Sequence, residues 1–134
     1  MAIQFSVLGR NAMLDALETE GGASAILRLR TGAVPENCAA ADSGTVVATL
    51  NLPADWMADA ASGQKAKLGT WEDTSADAEG TVAHFRIYKS DGTTCIIQGT
   101  AGDVGTEDMV LDNAAVNAGQ SVTITEFTLT AGNA

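Results

Sequence analysis

The chain has 134 residues, a length that fits one domain and can bury enough surface to fold without a metal or a disulfide. Only 4% of its residues are aromatic and 14 are glycine, a mix that suits many short strands and turns better than a large aromatic core. Seven Lys and Arg against seventeen Asp and Glu leave a formal net charge of −10, too few cations to neutralise a phosphate backbone or settle on an anionic bilayer, so neither nucleic acid nor membrane is an expected partner.

Residues 6–20 predict a helix. Val7, Met13, Leu14 and Leu17 gather on one side at a period of 3.6, with Asp15 and Glu18 opposite. Ser6 offers an N-cap, and Gly21 and Gly22 end the run. Glu18 and Glu20 sit at the end of the helix where its dipole disfavours acids, so tertiary or partner contacts must hold it. It either lies over its own sheet or docks on another chain. Removing residues 1–21 is expected to leave the β-fold intact if the second reading holds.

Residues 25–30 read as a strand, with Leu27 and Leu29 on one face and Arg28 and Arg30 on the other. A loop over 33–44 follows, broken by Pro35, Asn37 and Asp42-Ser43-Gly44. The next strand, 45–52, stops at Pro53. Residues 54–69 stay open between a helical turn and an irregular edge segment, and 65–71 predict a short strand. Residues 72–80 form an acidic loop. The strongest local signal is a hairpin over 81–99, where Ala83, Phe85 and Ile87 alternate with His84, Arg86 and Tyr88 and Asp91-Gly92 supplies the turn. Its apolar set faces inward and its polar set outward. A glycine-rich acidic loop over 100–107, a short strand at 108–112 and a turn at 117–120 come next. In the last strand, 121–130, the apolar residues share a face only with a bulge near Thr125 and Glu126.

The pattern predicts an all-β fold, an antiparallel β-sandwich or jelly roll with one short N-terminal helix. Residues 1–22 form the helical segment and 23–134 the sandwich, within a single domain. No apolar run reaches the roughly 20 residues of a membrane span. The first residues lack the basic and apolar regions of a signal peptide, so synthesis in a cytoplasm is expected. Cys38 and Cys95 are then expected as free thiols. Were they to pair, the long closed loop would be worth roughly 4 kcal/mol in the chain-entropy model.

Catalytic chemistry finds little to stand on. His84 is the only histidine and has no nucleophile motif beside it, so it reads as a solvated or hydrogen-bonded strand residue. No zinc spacing occurs. Asp103, Glu107, Asp108 and Asp112, like Asp73 and Asp77, lack the calcium-loop pattern and read as solvated acidic loops. The glycines over 99–105 precede no Lys, so a phosphate cradle is not expected. No catalytic residue, metal or cofactor is assigned. Trp56, Trp71 and Tyr88 read as core or interface anchors, with a sugar-stacking platform as the alternative.

Residues 25–31, 35–50, 74–78, 84–88 and 118–124 resemble a family of small structural proteins of tailed bacteriophages. Members are similar to capsid cement, or decoration, proteins. The resemblance implies a β-sandwich or jelly roll without catalytic residues. It also implies a virion protein on the capsid exterior, made in the host cytoplasm, with the major capsid protein as partner and a dimer or trimer as its state. The expected capsid or subunit contacts are Phe5, Val7, Arg10, Met13, Leu14, Leu17, Trp56 and Trp71. A carbohydrate-binding or tail-tip module is the alternative function.

Overall fold

The computed structural model describes residues 3–132. It is mostly β with one short helix, and its principal sheet is mixed and curled like half a barrel. Helix α1 spans Val7–Gly21, and the expected caps form. The Ser6 hydroxyl accepts from the Gly9 N–H at 3.0 Å, and Gly22, at φ 76°, donates its N–H to the Glu18 carbonyl.

The strands are β1 (Ile26–Arg30), β2 (Val46–Asn51), β3 (Gln64–Ala66), β4 (Glu72–Asp73), β5 (Gly80–Thr81), β6 (His84–Tyr88), β7 (Cys95–Gly102), β8 (Met109–Leu111), β9 (Ala115–Val116) and β10 (Val122–Thr130). The main sheet runs β2-β1-β6-β7-β8-β10-β3, with β4 paired to β10, while β5 and β9 form a separate pair. The hairpin of β6 and β7 is present, but it begins at His84, since Thr81 is taken up by β5. The bulge in β10 falls between Ile124 and Glu126, where the side-chain pattern required it.

One expectation is corrected. The sheet is not wholly antiparallel, because β7 and β8 run parallel, with Ala101 opposite Met109 and Gly102 opposite Val110. The connection is much shorter than the usual parallel crossover. It is held by its own acids: the Asp108 carboxylate accepts the Thr100 N–H at 3.0 Å, and the Glu107 carboxylate accepts the Gly105 N–H at 3.0 Å. At Gly102 the Glu107 carboxyl packs into the space that a side chain would fill.

The sheet curls because β4 returns the far edge towards the near one. Asp73 of β4, which pairs with β10, accepts the Thr49 N–H of β2 at 3.0 Å. Enclosed in the curl are Leu27, Leu29, Val47, Leu50, Phe85, Ile87, Met109, Leu111, Val122 and Ile124. An aromatic chain crosses this core. Trp56 and Trp71 lie 6.1 Å apart between centroids, Trp71 and Phe127 5.6 Å, and Phe127 meets Phe85 edge-on at 5.3 Å. Gly99, opposite Phe85 in the ladder, leaves the room that ring needs.

Candidate functional site

Helix α1 is docked in an unusual sense: its polar stripe faces the body. The Glu18 carboxylate accepts the Met57 N–H at 2.9 Å, Asp15 accepts the Ala60 N–H at 3.0 Å, and the Asn11 side-chain carbonyl accepts the Gly63 N–H at 2.9 Å. These donors belong to the stretch between Pro53 and β3, which makes only isolated bridges and would otherwise leave them unpaired. The Lys65 ammonium of β3, buried, closes the arrangement at 2.6 Å from Asp15 and 3.0 Å from Glu18. Burial alone would lower the Lys65 pKa, but the two carboxylates outweigh it and raise it. The Lys65 hydrogen bond holds Asp15 below its usual range, and the Met57 N–H and Lys65 do the same for Glu18 against the effect of burial. At the last turn Glu20 meets Lys89 at 2.7 Å, so the acids that the dipole disfavours are held from outside the helix.

With that polar stripe used inward, apolar residues of the helix and of the segment before it face solvent. Leu8 is 81% exposed and Ile3 78%, with Phe5, Val7 and Met13 also exposed. Of the two readings of the helix, the one that lays Val7 and Met13 over the chain's own sheet is corrected, since both are exposed. The amphipathic pattern assumed that carboxylates seek water; here Asp15 and Glu18 serve backbone donors.

The eight expected contact residues therefore separate. Phe5, Val7 and Met13 stand at the surface. Arg10 and Leu17 are half-buried, and Arg10 donates to the Ala131 carbonyl at 3.3 Å. Leu14, Trp56 and Trp71 are buried within the chain and cannot contact a partner as the molecule stands. Trp56 donates its indole N–H to the Gly22 carbonyl at 3.0 Å and packs where a side chain at Gly21 would collide with it. Trp71 donates to the Leu68 carbonyl at 3.1 Å. Tyr88 is buried as well, so the three aromatic rings make no surface platform for a sugar. Sequence reasoning missed Ile3 and Leu8, although Leu8 falls outside the Leu14 and Leu17 stripe.

The second constellation lies on the outer face of β1, β6 and β7. The whole of β6 is buried, contrary to the expected solvent-facing polar set, because the 33–44 loop folds across it. Asp42 of that loop is clasped by Arg86 at 2.8 Å, Arg30 at 3.1 Å and the Tyr88 hydroxyl at 2.7 Å. Arg86 also donates to the carbonyls of Asn37 and Ala40 and to the Gln98 side chain, while Gln98 donates to the Pro35 carbonyl. Burial would raise the Asp42 pKa, but the Tyr88 hydroxyl and the two guanidinium groups outweigh it and lower it. His84 binds the Gly32 carbonyl through Nδ1 at 2.8 Å; a carbonyl only accepts, so that nitrogen carries the proton. Burial holds the imidazole below its ordinary pKa.

The acidic loops are built from the same chemistry. Asp103 accepts the Ala114 N–H, Asp112 the Thr123 N–H, and Asp77 the Thr49 hydroxyl. Among the described residues no group of three or more His, Cys, Asp or Glu is placed to hold a metal, and no helix is long and apolar enough to cross a membrane. No family model, curated protein or solved structure matches the chain.

Proposed function

We propose that this chain is a non-enzymatic phage virion protein that binds the outer surface of the capsid and reinforces it. In that reading the curled sheet, with its return through β4, is the β-sandwich or jelly-roll body of a cement protein. The observation that carries the proposal is the helix whose polar groups are spent inward while Ile3, Phe5, Val7, Leu8 and Met13 face outward. An apolar row costs free energy while it stays in water, and a partner that covers it recovers that cost. A lattice supplies many equivalent positions, so a modest single interface suffices when copies are tied together. We place the chain on the capsid as a dimer or trimer, the closed symmetries that suit lattice axes, with the major capsid protein as its partner.

The test is direct. Purified protein added to expanded capsids that lack it co-sediments with them and raises their melting temperature. Protein that stays in the supernatant with every capsid form contradicts the proposal. Sedimentation of the free protein and of the protein released from particles reads the oligomeric state.

A further inference from the structure

Cys38 and Cys95 are the chain's two cysteines, both free and both half-buried. They come from distant parts of the sequence. Cys38 lies on the 33–44 loop and Cys95 opens β7, yet their sulfurs lie 2.6 Å apart, closer than two unbonded sulfurs pack. A disulfide bond is about 2.05 Å long, so the fold brings the two sulfurs close to bonding distance. The approach is fixed by groups other than the thiols. Asn37, next to Cys38, presents its carbonyl to Arg86 at 2.9 Å, and its side-chain oxygen accepts the Ala39 and Ala40 N–H groups. On the sheet side Cys95 stands opposite Tyr88, beside a register shift.

We propose that Cys38 and Cys95 form a redox latch, closed by thiol–disulfide exchange with a small-molecule disulfide and pinning the 33–44 loop to the sheet. The balance is simple. The Cys38 thiolate attacks one sulfur of the small disulfide, whose S–S bond breaks and releases one thiol. Cys95 then loses its proton and attacks Sγ of Cys38, expelling the second thiol. Two protein thiols are oxidised to one disulfide, the small disulfide is reduced to two thiols, and the protons leave on them. Burial and the neighbouring Cys38 push the Cys95 thiol up to about 12 while both cysteines are reduced, which makes Cys95 a poor first nucleophile. The closed latch adds a covalent tie to a loop otherwise held by the Asp42 clasp.

The test uses the full chain and glutathione disulfide. Treated protein is expected to lose the mass of two hydrogens, to show no thiol on alkylation under denaturing conditions, and to remain uncrosslinked to other copies. Its melting temperature is expected to rise by on the order of 10 °C, and cleavage within the 33–44 loop to slow at least tenfold. Reduction reverses all of this. Cys38→Ser, on the loop, is the control that keeps its fold and shows no melting response to the oxidant. A persistent mixed disulfide on the wild-type chain, a disulfide between copies, or a closed disulfide with unchanged melting and unchanged loop cleavage each overturns the proposal.

Discussion

Arg86 is the residue on which the outer face of the sheet turns. All three of its nitrogens are engaged, with four different acceptors drawn from the loop and from β7. A planar guanidinium serves such a set and an ammonium does not, so Arg86→Lys recovers little of what Arg86→Met loses. Arg86→Met strands two loop carbonyls and takes one of its three partners from Asp42, which is itself partly solvated; a loss of about 3 kcal/mol is expected, read as a fall in the urea midpoint. The same cluster sets a pH dependence. His84, packed near Arg30, Arg86 and Asp42, has its folded pKa depressed, so its contribution is present above the unfolded value and lost as pH falls. Stability is therefore expected to decline as pH drops below about 6.5, and again below about 4 as Asp42, also depressed in the folded state, protonates. Urea midpoints measured from pH 8 to 3 check this, and His84→Gln is expected to flatten the upper decline alone.

At the scale of elements, α1 decides how the molecule is read. Deleting residues 1–21 removes the acceptors of the Met57, Ala60 and Gly63 N–H groups and both carboxylate partners of buried Lys65. The deletion is thus expected to lower the melting temperature markedly rather than leave the β-body untouched, as differential scanning calorimetry would show. Point changes on the outer face are the cleaner probe of docking. Much of this was legible in the sequence. The caps of α1, the Asp-Gly hairpin and the β10 bulge rest on local chemistry, and each was readable from a few neighbouring residues. The inversion of α1 was not, because it depends on distant N–H groups that no helical period reveals. Nor was the burial of His84, Arg86 and Tyr88: alternation tells which side chains share a face, but not that a loop fifty residues away will cover it. The parallel step from β7 to β8 was hidden for a similar reason. It rests on carboxylates that read as solvated charge until their partners are seen.

The whole molecule joins a curled sheet closed over one aromatic chain with a helix turned apolar side out. Its acids, which dominate the net charge, are largely occupied as acceptors for N–H groups and hydroxyls in loops, so the fold converts charge into loop rigidity. What remains exposed and apolar among the described residues is concentrated before and along α1, with Leu68 and, on the 103–107 loop, Val104 as separate sites. The measurement that bears most directly on this account compares capsid binding of three proteins by co-sedimentation: the wild type, Leu8→Asp with Met13→Asp, and Val104→Asp. All three are expected to melt together as free proteins, since the changed side chains are exposed. The account predicts that the helix variant loses capsid binding at least a hundredfold while Val104→Asp binds like the wild type. Undiminished binding by the helix variant, or equal loss in both variants, would contradict it.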